Sequence, residues 1–427
     1  MNTKVQYDKI TKRIFFYTFG CKVNQVEIDN LKKKALNAGY AISEDLNNAD
    51  IVVINSCTVT DKADKKYHSL IRKIKRNYPD IIIITTGCLP EIEKNLENSD
   101  IIVPNEQKEN LFHYINTEGS DKNADNSLMN DIHAVGSPGK TRAFIKIQDG
   151  CNSYCSYCII PFARGNLKSR DLQSIKAEFE EKLREGYKEM VLVGIHIGNY
   201  GKDTDVRFSE LVEELVNLSG DFRIRLSSIE VSEVDDKLIE LFENYPRKIC
   251  RHFHIPIQSA TDKILSLMNR NYTVNEFSQT INKIRSRLGD INIGTDVIVG
   301  FPSETKEDFD HTVDNLYRMN FGYIHVFPYS ERKGTKAAEM KAVVPPKTRK
   351  ERAKFLRDVS ENLKFSYSKK YFGQKVRVLV ESDGKGLTDS YLTVNLLNHA
   401  EKNTFVHAHI VGVNIDGSLM GQVIDEQ

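Results

Sequence analysis

Three runs near the start of the chain are apolar almost without interruption: "KRIFFYTFGC" (12–21), "ADIVVINSC" (49–57) and "PDIIIITTGC" (79–88). Strands apolar on both faces belong in a parallel sheet that helices cover from either side. The stretches between them, "NQVEIDNLKKKALNAGY" (24–40) and "TDKADKKYHSLIRKIKRNYPD" (60–80), read as helices. The pattern predicts a βαβαβ unit, a small doubly wound α/β domain over residues 12–115. Residues 116–140 are polar, rich in Gly, Ser and Asn, and lack periodicity, so a linker is expected there.

The alternation resumes beyond 141. Candidate strands are "RAFIKIQDG", "EMVLVGIHIG", "FRIRLSSIE", "CRHFHIPIQ", "INIGTDVIVGF" and "FGYIHVFPYS", with helical segments between them. Six such βα units suit a partial (β/α)6 barrel over 141–368, with its active site at the C-terminal ends of the strands. A charged helix over 347–371 leads to "KVRVLVES", "DSYLTVNLL", "FVHAHIVGV" and "SLMGQVI". These short strands predict a small antiparallel β-barrel over 369–427.

Composition adds compartment and partner. Sixty Lys and Arg balance 59 Asp and Glu, a net charge of +1, so any nucleic-acid surface must be a local patch,. Seven cysteines, an odd number, do not resemble a secreted disulfide framework,. The N-terminus "MNTKVQYDKITKRIFF" lacks the apolar core of a signal peptide, and no apolar run is long enough to span a membrane,. The expected compartment is the cytoplasm, with no membrane association; there, clustered thiols mean metal or catalysis more often than disulfides.

Cys21, Cys57 and Cys88 each follow one of the first three strands. Strand C-termini of an open parallel sheet line one edge, so these three converge on one site. Three unrelated buried cysteines are the competing reading, and they leave unexplained why each closes a strand. Structural zinc needs a fourth protein ligand, so an iron–sulfur cluster with an open iron suits three better. Cys151, Cys155 and Cys158 follow the first barrel strand with C-x3-C-x2-C spacing, in "DGCNSYCSYCII". That differs from the ferredoxin run, and one loop of this kind wraps three corners of a cubane and leaves the fourth iron free. Cys250 stands alone and reads as a buried structural residue. His252 and His254, alternating behind it, read as polar-partnered or barrel-lining rather than metal-binding.

The chain resembles the radical SAM methylthiotransferases. In that superfamily C-x3-C-x2-C holds a 4Fe-4S cluster whose open iron chelates S-adenosylmethionine (SAM). An N-terminal domain with three further cysteines and a C-terminal TRAM domain narrow the likeness to methylthiotransferases. "TFGCKVNQVE" (18–27) and "NSCTVT" (55–60) are similar to the branch acting on threonylcarbamoyladenosine in tRNA. Lys22 and Val23 stand where the isopentenyladenosine branch has Gln and Met, and where the ribosomal-protein branch has a Pro. The resemblance implies two 4Fe-4S clusters, one binding SAM and one auxiliary, and implies as partners a tRNA, a low-potential electron donor and a sulfur source. Cys21, Cys57 and Cys88 are then expected to form an edge facing the barrel mouth.

Carried over by position, Tyr157 lies where the family contacts the adenine. "VGIHIG" stands in place of a Gly-Gly-Glu motif, keeping Gly194 but no Glu. Gln258 and Ser259 are candidates for ribose or methionyl contacts. "DVIVGFPSE" resembles G-x-I-x-G-x-x-E, keeping Ile298, Gly300 and Glu304 but with Asp296 for the first Gly. Glycines after strands also serve as turn formers, and Glu304 also reads as a helix cap. Arg164 matches a family position, with a solvated loop arginine as the alternative. No side chain is assigned as catalytic, because the clusters and SAM carry the chemistry.

Residues 346–375 hold ten Lys and Arg against three Asp and Glu. Lys347, Arg349, Lys350, Lys369, Lys370 and Lys375, continued by Arg377, are the expected RNA contacts, with a solvated helix as the alternative. A second basic stretch, 61–76, follows Cys57 and is a further candidate to face RNA. Competing functions are a methylthiotransferase acting on isopentenyladenosine or on a ribosomal-protein aspartate, and an electron-transfer iron–sulfur protein.

Overall fold

The structure is a computed structural model that describes residues 12–117 and 141–424. Contacts divide the chain into two units. One comprises Met1–Pro138 with Ile159–Gly165, the other Gly139–Cys158 with Asn166–Gln427. The linker expected over 116–140 lies outside the described residues, except that a helix runs on to Thr117.

The first unit is a parallel sheet of β1 (Arg13–Thr18), β2 (Ala41–Ser43), β3 (Ile51–Ser56), β4 (Ile82–Gly87) and β5 (Ile101–Ile102), in the order β2-β1-β3-β4-β5. Its helices are α1 (Lys22–Asn37), α2 (Asp61–Asn77), the short α3 (Leu89–Ile92) and α4 (Leu111–Thr117). Alternate strand residues supply two separate cores, which is why the runs are apolar throughout. Ile51, Val53 and Ile84 pack with Ile28 and Leu31 of α1, while Val52, Ile54 and Ile83 pack with Tyr67, Ile71 and Ile74 of α2,. The short helix α5 (Ile160–Arg164) groups with this unit and packs on α3.

The second unit opens with β6 (Arg142–Lys146), followed by a small antiparallel pair, β7 (Gln148–Asp149) and β8 (Lys168–Ser169). Then come β9 (Glu189–Val193), β10 (Arg223–Leu226), β11 (His252–His254), β12 (Asn292–Val299) and β13 (Tyr323–Pro328). The triplets β10-β9-β6 and β11-β12-β13 are each parallel, and single parallel bridges Ile224↔Ile249 and Ser228↔His254 join them. Helices α6 (Leu172–Arg184), α7 (Phe208–Val216), α8 (Asp236–Asn244), α9 (Asp262–Leu267), α10 (Val274–Leu288), α11 (Lys306–Met319) and α12 (Pro346–Lys369) accompany this six-stranded partial barrel. Threonine caps set two of the starts: Thr273 and Thr305 each form a capping box with the acid three residues on,. Among the described residues no helix is long and apolar enough to cross a membrane.

The barrel interior is polar at its N-terminal end. Parallel pairing sets Glu189 beside both Arg142 and Arg223. Its carboxylate accepts from Arg223 Nε and Arg225 Nε, both at 2.7 Å, with all three side chains essentially inaccessible. The two arginines hold it down at about 2, against the burial that would raise it,.

The C-terminal domain closes that end. Its strands β14 (Lys375–Ser382), β15 (Lys385–Thr388), β16 (Thr393–Leu396), β17 (Phe405–Val413) and β18 (Leu419–Ile424) form a closed barrel, β14-β15-β16-β18-β17. The sequence pattern showed four of these strands and predicted an antiparallel barrel; β15 is additional, and β16 pairs with β18 in parallel. Alternation reveals that a segment is extended but not which way its neighbour runs. Carbonyls of Leu387, Thr388 and Asp389 accept from Arg223 and Arg225 at 2.9–3.0 Å, and Ser390 O accepts from Asn292 at 2.7 Å. The Tyr391 ring lies 4.9 Å from the Arg225 guanidinium and 4.8 Å from the His252 ring. Cys250 is buried beside Glu189, its thiol pushed up to about 12 by burial.

Candidate functional site

In the first unit, β1, β3 and β4 end at one edge of the sheet, and each delivers a cysteine there. Cys21 precedes α1, Cys57 directly follows β3, and Cys88 directly follows β4. Gly20 holds φ +97°, and a Cβ there would lie 2.7 Å from Cys57 Sγ, so only glycine admits the sulfur,. Burial pushes the Cys57 thiol up to about 11 and raises that of Cys88, whose charged form Arg164 favours.

Arg164 is not a solvated loop residue. Its side chain is fully buried, Nε lies 3.2 Å from Cys88 Sγ, and its Nη atoms donate to Glu27 and to Asn24 Oδ1. Asn24 also spans Phe19 O and Ser56 O at 2.8 and 2.9 Å, tying the loops that carry Cys21 and Cys57. Lys108 donates to Glu27 at 2.6 Å, so two buried cations share one carboxylate.

In the second unit, the loop bearing Cys151, Cys155 and Cys158 is fixed by its backbone. Ser156 N–H donates to Met268 O, Ser156 Oγ to Leu267 O, and Ser156 O accepts from Ala337. Asn269 Nδ2 donates to Tyr154 O, where the chain turns through φ +45°. The Tyr157 ring packs edge-on to Phe301, beside Ile264, Met268 and Ile298.

Arg270 Nη1 lies 3.1 Å from Cys155 Sγ, and its other nitrogen pairs with Glu230. His196 Nδ1 lies 3.7 Å from Cys151 Sγ, and its Nε2 lies 2.8 Å from Glu233. Burial works to raise the Cys151 thiol, but hydrogen bonds from His196 and Ser153 outweigh it and lower it. His196 is pushed up to about 9, since Cys151 and Glu233 outweigh its burial. A cluster held by three thiolates is an anion, and each triad has a buried guanidinium against one sulfur: Arg164 on Cys88, Arg270 on Cys155. That donor set fits a 4Fe-4S cluster in both places.

Residues 145–316 match the Radical SAM superfamily, and residues 13–105 match the Uncharacterized protein family UPF0004. The chain is 37% identical over 404 residues to the threonylcarbamoyladenosine tRNA methylthiotransferase MtaB of Bacillus subtilis (strain 168), covering 89% of each. With the enzyme of the same name from Aquifex aeolicus (strain VF5) it shares 34% over 411 residues, covering 93% of this chain and all of that one. The chain belongs to the radical SAM methylthiotransferase family. A tRNA-2-methylthio-N(6)-dimethylallyladenosine synthase of Clostridium tetani is 32% identical over 424 residues, covering 93% of each. In fold, the chain is similar to the radical S-adenosylmethionine methyltransferase TsrM of Kitasatospora setae, with TM-score 0.56, 15% identity and 77% of each chain covered.

Membership of the radical SAM methylthiotransferases implies a 4Fe-4S cluster and SAM at the barrel, and the remaining candidates sort by what already occupies them. Ser259 Oγ is buried with no partner, as a residue awaiting a ligand would be,. Gln258 takes φ +64°, with its backbone N–H and C=O both bonded to β12 at 2.8 Å, so it steers the loop after β11. Gly194 is needed for packing, because a Cβ would lie 2.9 Å from Gln148 Oε1. At Gly300 (φ +70°) a Cβ would meet Arg349 at 2.4 Å. Glu304 accepts from Gly300 N–H at 2.8 Å and pairs with Arg352, while Thr305 rather than Glu304 caps α11. Its carboxylate therefore braces the turn at the end of β12.

Of the expected RNA contacts, two are committed internally. Arg349 donates to Val344 O and Tyr329 O and covers the Tyr329 ring. Arg377 stacks on Phe405 at 3.6 Å and pairs with Asp221. Lys347, Lys350, Lys369, Lys370 and Lys375 are exposed, Lys370 with a contact to Asp290. On α2, Lys62, Lys65, Lys66, Arg72, Lys73 and Arg76 are exposed opposite the buried stripe.

Glu27, Asn24, Lys108, His196, Glu230, Glu233 and Arg270 carried no signal in the sequence. Asn24 and Glu27 lie in "TFGCKVNQVE" and His196 in "VGIHIG", but each of the seven acts through a residue distant along the chain.

Proposed function

We propose that the protein attaches a methylthio group to C2 of N6-threonylcarbamoyladenosine in tRNA, using SAM and two 4Fe-4S clusters, one at each cysteine triad. Two triads, each backed by a buried guanidinium, carry this reading, because a carrier of electrons needs no SAM-type site beside its cluster. When bound, the clusters supply electron transfer to SAM and a place for sulfur, chemistry no side chain provides. The chain's residues hold and orient. Cys151, Cys155 and Cys158 ligate one cluster, with Arg270 balancing its charge. Glu230 and Glu233 line the same pocket as Cys155 and supply carboxylates for the methionyl ammonium, which the missing Glu of "VGIHIG" does not. Ser259 offers its unpartnered hydroxyl to the bound cofactor.

Cys21, Cys57 and Cys88, with Arg164, hold the auxiliary cluster that receives sulfur from an external source, and a low-potential donor supplies electrons. Exposed lysines of α12 and β14 contact tRNA phosphates in the cytoplasm. The relatives named for threonylcarbamoyladenosine share 34–37% identity and those named for the dimethylallyl derivative 31–32%, which favours the first substrate.

Mass spectrometry of tRNA nucleosides from cells with and without the gene tests this. Loss of the methylthio group from threonylcarbamoyladenosine, with the isopentenyl derivative intact, is expected; the reverse pattern would transfer the assignment to the other substrate. Binding of unmodified tRNA should weaken steeply with salt, the log–log slope falling by about 0.7–0.9 for each lysine–phosphate contact removed.

A further inference from the structure

Near the middle of the barrel strands, three adjacent strands bring together His254 of β11, Asp296 of β12 and His325 of β13. Their ligating atoms all lie within 4.8 Å of one another. Asp296 and His325 are direct partners in the parallel register. His254 Nε2 lies 2.9 Å from Asp296 Oδ1, and His325 Nδ1 lies 3.2 Å from the same oxygen. His254 Nδ1 meets Tyr323 Oη at 3.0 Å, and His252 Nε2 meets the same hydroxyl at 2.8 Å. Both nitrogens of His254 are thus engaged, and the two imidazoles keep Asp296 ionised, well below the usual carboxylate range despite its burial.

The third member differs. The His254 side chain is 8% exposed and that of His325 is 56% exposed. Along β13, Ile324 and Val326 are buried in the core on the α12 side, so Tyr323, His325 and Phe327 share the face turned to the barrel interior,. With Nδ1 on the carboxylate, His325 is oriented so that Nε2 points away from the cluster. Two residues on, Phe327 is 46% exposed, an aromatic face about 6.7 Å further along the strand,. An outward-facing imidazole beside an exposed ring suits a purine whose exocyclic nitrogen carries an anionic side chain, the imidazole for the carboxylate and the ring for the base.

We infer that His325, oriented by Asp296 and buttressed by His254, contacts the carboxylate of the threonylcarbamoyl substituent and sets the preference for it over an uncharged one. This rests on the substrate proposed above. No bond is made or broken by these residues; they position the nucleoside.

The test uses reconstituted holoenzyme and three anticodon stem-loop RNAs, one carrying threonylcarbamoyladenosine, one carrying its threonine carboxamide and one carrying isopentenyladenosine. Wild type should favour the carboxylate. His325→Ala should raise KM for it on the order of 10–100-fold, with kcat little changed and discrimination from the carboxamide lost. His325→Lys should restore much of the discrimination. Because His325 is exposed, these variants should keep the wild-type melting temperature and iron content. An alanine variant with unchanged KM and discrimination would overturn the proposal. So would zinc or iron that copurifies with wild type beyond the clusters and is lost from the variant, marking a metal site instead. Wild type that modifies only isopentenyl RNA would remove the substrate reading itself, a result distinct from either.

Discussion

Buried charge decides most of what single residues contribute. Replacing Glu189 by Gln leaves two buried guanidiniums short of their counter-charge, a change expected to cost about 3–5 kcal/mol in urea unfolding,. The folded value of Glu189, about 2, lies below the ordinary 4.5. Its contribution, on the order of 3 kcal/mol, is therefore present above pH 4.5 and lost as pH falls towards 2; the Gln variant should show a flatter acid limb. Arg164→Ala removes the cation against Cys88, and iron and sulfide per chain should fall towards half after reconstitution, with Arg164→Lys intermediate. Full iron content in the alanine variant would show that the arginine is dispensable for holding metal. At this scale the sequence was legible where chemistry is clustered in it. Six cysteines announced themselves by spacing; Arg164 was marked only as matching a family position and Arg270 not at all, since they reach sulfurs 76 and 115 residues away.

Helix α12 shows how one element serves two surfaces. Ala353, Leu356, Val359, Leu363 and Tyr367 form its buried stripe. Ser360 Oγ accepts from Ile324 N–H at 2.8 Å and donates to Ile324 O at 2.9 Å, while Arg357 donates to Val326 O, so the helix satisfies the free edge of β13,. Leu356→Ala should cost about 2–5 kcal/mol, and Lys354→Ala, at an exposed pair with Asp358, less than about 0.5 kcal/mol, by thermal or urea unfolding,. The basic run reads from sequence as a nucleic-acid surface, and two of its seven named residues, Arg349 and Arg377, are engaged by the fold itself. Charge density marks the outer face of a helix but is silent about which arginines turn inward. Strands embedded in longer apolar or alternating runs were visible, even β10, β11 and β16 at three to four residues; β2, β5, β8 and β15, of two to four residues and outside such runs, were not, because so short a segment carries no period,.

At the scale of the molecule, the small C-terminal barrel closes the N-terminal end of the partial (β/α) barrel. Carbonyls of residues 387–390 satisfy Arg223, Arg225 and Asn292, so a chain ending near Lys369 would leave those groups buried without partners or open the barrel to water. Such a truncation is expected to be insoluble or to lose cooperative unfolding; a soluble fragment with the melting temperature of the full chain would contradict this. The order of domains was readable from changes of period along the sequence. That the last domain completes the core of the one before it was not, since nothing in "KGLTDSYL" suggests a plug.

The placement of Ile159–Gly165 in the first unit governs how this protein can be taken apart. A fragment beginning at Gly139 would carry α5 without the sheet it packs beside, leaving the Arg164 guanidinium bare. A fragment ending at Pro138 would lose the cation that faces Cys88. The chain crosses between units on both sides of this helix, so the two halves are not interchangeable parts. A chimaera joining the first domain of one relative to the barrel of another must transplant the helix with the sheet, through two additional joints only seven residues apart.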